Sequence, residues 1–296
     1  MTIALLFPGQ GTQHIGMGKE LFTRFPDLTG LAEEILGYSL RRLCLEDPDG
    51  VLGHTRFTQP AVYTVNALAH RQYVRDGEAR ADVLLGHSLG EYNALEAAGV
   101  LDFATGLRLV AERARLTDAT PGGMAAVSGI DTDRIAEALR LIGSTSMHVA
   151  VLNTHRQTVV AGPREALAQV VPRLRDAGAR AVTPLKVSGP FHTRHMSRAA
   201  DEFTATLRAV PHWHEPAVPV IANHTARPHD VRRIVTDLTR QIDHPVLWAP
   251  SVERVLDEDP DTTFIEIGGT TTLLSLVRQV RHRRLVGRPS SHTGGS

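Results

Sequence analysis

The sequence predicts an α/β fold, a parallel sheet covered by helices with a smaller antiparallel unit inserted into the middle of the chain. Three observations carry this. Short apolar runs closed by glycine or proline recur along the chain, as buried parallel strands do. Helical patterns lie between those runs. The stretch 124–184 breaks the alternation and reads strand, helix, strand, strand, helix, strand.

The first strand is expected at 3–7, closed by Pro8 and Gly9. Further strands are expected at 83–86, 218–222 and 264–267, the last followed by Gly268-Gly269. Helical patterns are read over 60–75, 91–98, 105–117, 196–210, 234–242 and 271–281. Inside the unusual stretch, strands are expected at 124–130, 149–152, 158–161 and 179–184. Its helices are expected at 132–142, with Thr132 as N-cap, and at 163–177, closed by Gly178. That order is ferredoxin-like. The expected organisation is a large domain from 1–123 and 191–287, an inserted subdomain at 124–190 and a disordered tail at 288–296, rich in Gly, Ser and Pro. The crevice between the two parts is the expected site.

The chain has 296 residues, of which 42% are hydrophobic and 22% charged, as in an ordinary globular enzyme. Its 32 basic and 32 acidic residues cancel. That balance argues against a nucleic-acid binder, though a local basic patch is allowed. The single cysteine, Cys44, lies in a leucine-rich stretch and is expected in the core. No stretch approaches a transmembrane span, and the apolar start lacks the basic lead of a signal peptide. A cytoplasmic location with no membrane contact is expected.

The chemistry is concentrated in Gly86-His87-Ser88-Leu89-Gly90, a G-x-S-x-G pentapeptide between a strand and a helix. Such a turn exposes the serine hydroxyl, and it needs glycine on both sides. This predicts an α/β-hydrolase-like sheet domain with Ser88 as nucleophile. The bland alternative is a glycine-rich turn with an incidental serine.

A serine needs a base. There are 15 histidines, so composition does not choose one. His87 adjoins Ser88, but neighbouring side chains on a sharp turn point apart, so a packing or hydrogen-bonding role fits it better. His192 lies in the breaker-rich loop Ser188-Gly189-Pro190-Phe191-His192-Thr193, which should face the crevice. An exposed loop histidine is the alternative. The oxyanion donors are expected from the Leu89 amide and from Gln10, in the loop after the first strand. The pairs His192/His195 and His212/His214 lack a third ligand, so no metal site is expected.

Taken together, these pieces resemble the malonyl-CoA:acyl carrier protein acyltransferase family. The signatures are Phe7-Pro8-Gly9-Gln10-Gly11, Gln59-Pro60-Ala61, Gly86-His87-Ser88-Leu89-Gly90-Glu91-Tyr92 and Gly189-Pro190-Phe191-His192. Asn153 with Gln157, and Pro245-Val246 before Trp248, add to the match. The resemblance implies Ser88 as the acylated nucleophile and His192 as its base, with Gln10 and Leu89 at the oxyanion. It implies a backbone carbonyl, that of Gln241, orienting the histidine in place of an acid. It implies Arg113 as the clamp for a malonyl carboxylate, with Gln59 and Asn153 beside the substrate. Phe191, directly before the base, matches members that take malonyl and not its methyl-branched analogue. The implied partners are malonyl-CoA and an acyl carrier protein. No cofactor of the enzyme's own is implied, since acyl-CoA is substrate and the carrier brings its phosphopantetheine. With the run Phe191-His192-Thr193-Arg194, the chain resembles a discrete acyltransferase serving polyketide synthesis more than a housekeeping transacylase of fatty acid synthesis.

Two departures from the family pattern leave room for a reshaped acyl pocket. Thr117-Asp118 stands where members often have Met-Gln, and Gly268-Gly269-Thr270 where they often have Gly-Pro-Gly. These departures leave open the transfer of a larger acyl group between two carriers. An acyl-carrier hydrolase on the same scaffold is the runner-up, against which Arg113 argues, and a non-catalytic carrier-binding module is the different-class reading, against which the set Ser88, His192 and Gln10 argues. Arg194 with the stretch 278–284 is the expected basic rim for an acidic carrier, a solvated helix end being the bland reading.

Overall fold

In the computed structural model, residues 2–141 and 146–286 are described. The expected disordered tail at 288–296 lies outside them. In chain order, β1 (Ile3–Phe7) is followed by α1 (Lys19–Arg24), α2 (Pro26–Leu36), α3 (Leu40–Glu46) and α4 (Thr55–Arg75). Then come β2 (Val83–Gly86), α5 (Gly90–Ala97) and α6 (Phe103–Asp118). The small unit is β3 (Gly123–Ser128), α7 (Thr132–Leu141), β4 (His148–Thr154), β5 (Gln157–Gly162), α8 (Arg164–Asp176) and β6 (Ala181–Pro184). The chain closes with α9 (Ser197–Arg208), β7 (Val220–Ile221), α10 (Ile234–Asp243), α11 (Trp248–Glu258), β8 (Thr263–Glu266) and α12 (Thr272–Val286).

The large sheet has the order β7-β2-β1-β8 and is parallel throughout. Alternate residues of β1 feed different cores, as the pleat requires. Leu5 and Phe7 pack with α4, α5 and α9 residues such as Leu68, Tyr92 and Phe203. Ala4 and Leu6 pack with Val252 of α11 and Val277 of α12. The small sheet is antiparallel with order β4-β5-β3-β6. One of its faces holds its own core with α7 and α8, through Ile135, Val170 and Leu174. Its other face, through Met124, Val151 and Val159, joins the core under α11 and α12. A bridge from Val246 to Val151 covers the β4 edge.

Several expectations need correction. α1, α2, α3 and α11 were not read from the sequence. α1 and α3 are short, Pro26 and Gly37 close off α2 at its two ends, and Pro250 stands inside α11, so none offers an uninterrupted period. α4 begins at Thr55, before the expected start at Pro60, because the Thr58 hydroxyl bonds the carbonyls of Leu52 and His54 and closes the turn ahead of the proline. The expected strand at 218–222 shrinks to two residues. Thr132 is not the N-cap of α7. The Ile135 amide bonds the Asp131 carbonyl, and the Thr132 hydroxyl turns to Thr158 at 2.7 Å.

The elbow explains why the glycines cannot vary. A Cβ on Gly86 would overlap the backbone of Gly90 and Glu91, and one on Gly90 would overlap the Phe7 carbonyl of β1. Gly90→Ala is therefore expected to destabilise the fold by about 3 kcal/mol or more, since neither neighbour is a side chain able to turn away. A melting temperature equal to wild type would show that β1 and α5 are not held this closely.

Candidate active site

Ser88 sits where β2 turns into α5, at φ 54°. A non-glycine residue there is strained, and the surroundings must hold it. They do so through Asn223, whose Oδ1 accepts the Ser88 amide at 2.7 Å and whose Nδ2 donates to the Gly86 carbonyl at 2.6 Å. His192 is also held in this region, at φ 60° in the loop after the small sheet. This strain lets the ring reach back across the crevice. Its Nε2 stands 2.7 Å from Ser88 Oγ. Its Nδ1 donates to the Gln241 carbonyl at 2.8 Å, which leaves Nε2 free to accept the serine proton.

Burial first, and the nearby Arg113 second, push the His192 pKa down to about 3. A neutral ring is the form that acts as base. The acid limb of kcat/KM should therefore fall well below the ordinary histidine value of about 6.5. A rate that halves near pH 6.5 would show that His192 is solvated and cationic in the free enzyme.

Arg113 is 4% exposed and points inward from α6. Its guanidinium donates to Gln59 Oε1 at 2.7 Å, Gln241 Oε1 at 3.1 Å and Ser88 Oγ at 3.2 Å. All three acceptors are neutral, and its Nε has no hydrogen-bond partner. Glu112 is not its partner, because that carboxylate takes both bonds from Arg115 on the outer face. Arg113 is thus a buried cation beside the nucleophile whose hydrogen bonds go only to neutral acceptors, an arrangement with capacity for an incoming anion.

The remaining sequence candidates gather around the same cleft of about 560 Å³. Gln10, Leu89, Gln59, Asn153 and Phe191 all line it. Gln10 donates to Thr55 Oγ1 at 3.2 Å, and Asn66 fixes its loop by donating to the Pro8 carbonyl at 2.8 Å. Gly9 presses on the elbow so closely that a Cβ there would stand 2.5 Å from the His87 carbonyl oxygen. Asn153 bonds His87 Nε2 at 2.9 Å, and Trp248 flanks that imidazole. His87 is thus a half-buried strut in the cleft wall. Phe191 lines the cleft and also packs against both large cores. Cys44 is buried, and its thiol pKa is raised to about 12 by burial.

A sequence profile of the acyl transferase domain matches residues 4–289. The chain belongs to the acyl transferase domain family. It is 43% identical to the polyketide biosynthesis malonyl CoA-acyl carrier protein transacylase BaeC of Bacillus velezensis, over 95% of this chain and 97% of that one. Among solved structures it resembles a malonyl CoA-acyl carrier protein transacylase from Burkholderia pseudomallei, with TM-score 0.92, 40% identity and 98% and 100% of the two chains covered. It also resembles a malonyl-transacylase solved in complex with its type II polyketide synthase acyl-carrier protein, with TM-score 0.89, 32% identity and 95% and 93% covered. This chain is accordingly an acyltransferase.

Within this acyl transferase the two departures from the common pattern are structurally distinct. The Thr117 hydroxyl bonds back to the Arg113 carbonyl at 2.8 Å, and Asp118 accepts from Ser188 Oγ at 2.8 Å, so neither lines the cleft. Thr271 and Thr272, which follow the second departure, do line it. The expected basic rim is narrower than its sequence suggests. Arg281 donates to the Thr262 carbonyl and lies over Phe264, while Arg284 pairs with Asp257. Arg278 and Arg283 are exposed. Among the described residues, no helix is long and apolar enough to cross a membrane.

The sequence reading missed Asn223, His229 and Asp237, and it left Glu91 without a role. Glu91 carried a signal, an acid within the helix-forming run Glu91-Tyr92-Asn93-Ala94-Leu95 that is buried throughout. The others gave none, since they are more than a hundred residues from the elbow.

Proposed function

We propose that this acyltransferase moves a malonyl group from malonyl-CoA to the phosphopantetheine thiol of an acyl carrier protein, for polyketide biosynthesis, by way of a malonyl ester on Ser88. The observation that carries the proposal is Arg113, a buried guanidinium 3.2 Å from the nucleophile with neutral acceptors only. An acyl group that ends in a carboxylate supplies the missing anion, and a planar fork grips it at two points. The names of BaeC and of the Burkholderia pseudomallei transacylase that this chain resembles support the same substrate pair.

The chain's groups define the steps. His192 Nε2 takes the Ser88 proton as Oγ attacks the thioester carbonyl. The Leu89 amide and Gln10 donate to the oxyanion that forms. The C–S bond breaks, and His192 returns the proton to the leaving CoA thiolate. The carrier's thiol then gives its proton to His192 and attacks the ester, and Ser88 regains its proton as the leaving alkoxide. While the malonyl carboxylate is bound, it offsets the charge of Arg113 and so relieves part of the depression of the His192 pKa. Apolar walls from Met124, Val151, Val159 and Leu276 keep the cleft dry beside the ester. To Phe191, which lines the cleft directly before the base, this mechanism assigns the exclusion of a methyl branch on the acyl group, worth about 1–3 kcal/mol against methylmalonyl. The reading requires no resident cofactor, since the CoA ester and the carrier's phosphopantetheine both arrive from outside. It places the protein in the cytoplasm with its acyl-CoA supply.

The test is intact-protein mass spectrometry after mixing with malonyl-, methylmalonyl- or acetyl-CoA, followed by a holo acyl carrier protein. The expected result is a malonyl adduct on Ser88 that moves to the carrier. Adduct loss to water, or acylation only from an acyl-carrier donor, would replace this reading by hydrolysis or carrier-to-carrier transfer.

A further inference from the structure

Beneath the elbow lies a group of charged side chains that the acyl-transfer steps do not use. Glu91 is 0% exposed. Its Oε1 receives His229 Nε2 at 2.6 Å and the Asn223 amide at 3.3 Å, and its Oε2 receives Gln241 Nε2 at 3.0 Å. His229 Nδ1 stands 3.7 Å from Asp237 Oδ2, and His224 Nε2 stands 3.7 Å from Asp237 Oδ1. Three elements that are distant in the chain meet here: α5, the segment after β7 and α10.

Two neighbours of Glu91, Gln241 and Asn223, hold the active site. Gln241 holds His192 through its carbonyl, Arg113 through Oε1 and the Ser88 carbonyl through Nε2, at 2.8, 3.1 and 2.6 Å. Asn223 holds the strained Ser88 amide. We propose that Glu91, His229 and Asp237 act as one buried positioning unit, which through Gln241 and Asn223 sets the geometry of nucleophile, base and carboxylate clamp together.

The charge balance says why a histidine is needed. Two carboxylates buried side by side are tolerated only with a cation between them. His229 supplies it as the imidazolium, whose two N–H groups face the two acids. The groups that face His229 are Glu91 from α5, Asp237 from α10 and His224 from the segment after β7, with Arg113 of α6 lying beyond Gln241. Burial alone would lower the His229 pKa, but the two acids outweigh it and raise it to about 9. A group raised in this way contributes fully below its unfolded value of about 6.5 and ceases to contribute as pH rises through about 9. Above that point Glu91 loses its counter-charge, and Gln241 loses a fixed anchor.

This inference rests on the acyl-serine reading, and its test keeps the two apart. The pre-steady-state rate of Ser88 malonylation is measured from pH 6 to 10 in wild type, His229→Gln and Asp237→Asn. Wild type should lose activity with a midpoint near pH 9, the His229 value. Asp237→Asn should move that midpoint down by about one pH unit, because one of the two acids that raise His229 is gone. His229→Gln should acylate about 10- to 100-fold more slowly at pH 7 and show no alkaline midpoint. A merely structural role would lower the amount of folded protein without moving a midpoint. An Asp237→Asn profile superimposable on wild type, with His229→Gln within about 2-fold of it, overturns the proposal. If wild type forms no acyl-serine, the functional reading has failed. The imidazole signals of His229 in wild type and Asp237→Asn, followed by NMR over the same pH range, then decide the positioning unit without turnover. They give the same answer if His229→Gln does not fold.

Discussion

Ser88→Ala abolishes acyl-enzyme formation and lowers carrier malonylation by about 10⁴-fold or more, because nothing else in the cleft can take up the acyl group. His192 remains as a base in this variant, 2.7 Å from where Oγ had been, but with no hydroxyl to activate. The Leu89 amide and Gln10 remain as donors and leave only a residual direct attack by the carrier thiol. The fold should be unaffected, since the αL conformation is imposed by Asn223 and by the glycines on either side and not by the hydroxyl. The measurement is the mass of the protein after incubation with malonyl-CoA, with the melting temperature as control. A malonyl adduct of unchanged yield on the alanine variant would place the nucleophile elsewhere.

Arg113→Ala separates the two donors. Malonyl-serine formation is expected to fall about 100- to 1,000-fold, the loss of a buried two-point charged contact worth about 3–4 kcal/mol. Acetyl-serine formation, which makes no such contact, should change by less than about 10-fold. The same variant removes a cation that helps depress the His192 pKa, so its acid limb should move upward. Arg113→Lys should recover little of the loss, since an ammonium offers one point of contact and Gln59 and Gln241 are placed for a planar fork. Single-turnover rates for malonyl- and acetyl-CoA over a pH series read all of this. Equal losses for the two donors would mean that Arg113 acts on the nucleophile alone, through its bond to Ser88 Oγ.

Much of this was legible in the residues. The elbow could be read because its chemistry is local. A strand, a turn that tolerates no Cβ and a helix are contiguous, and Gly86 and Gly90 mark the two close approaches in one pentapeptide. The strand runs at 3–7 and 83–86 could be read because parallel strands are buried on both faces and need no periodicity to stand out. Arg113 was a different case. Its own helix places it one residue from Glu112, and a surface pair was the simplest reading. Its burial, and the turning of Glu112 to Arg115, depend on how α6 packs against α4 and α9, which no window of sequence contains.

The sequence by itself determined the parallel sheet, the ferredoxin-like order of the small unit, the serine at the elbow and the loop that carries His192. These depend on contacts within a few residues or on patterns that repeat along one element. Only the tertiary structure decided which histidine faces the serine, that Arg113 faces neutral partners beside it, and that Glu91, Asn223, His229, Asp237 and Gln241 form the frame beneath them. Apart from the His229–Asp237 pair, those contacts join residues from 25 to 153 positions apart. The free energy of each is set by burial, which is a property of the packed molecule and not of the chain segment in which the residue stands.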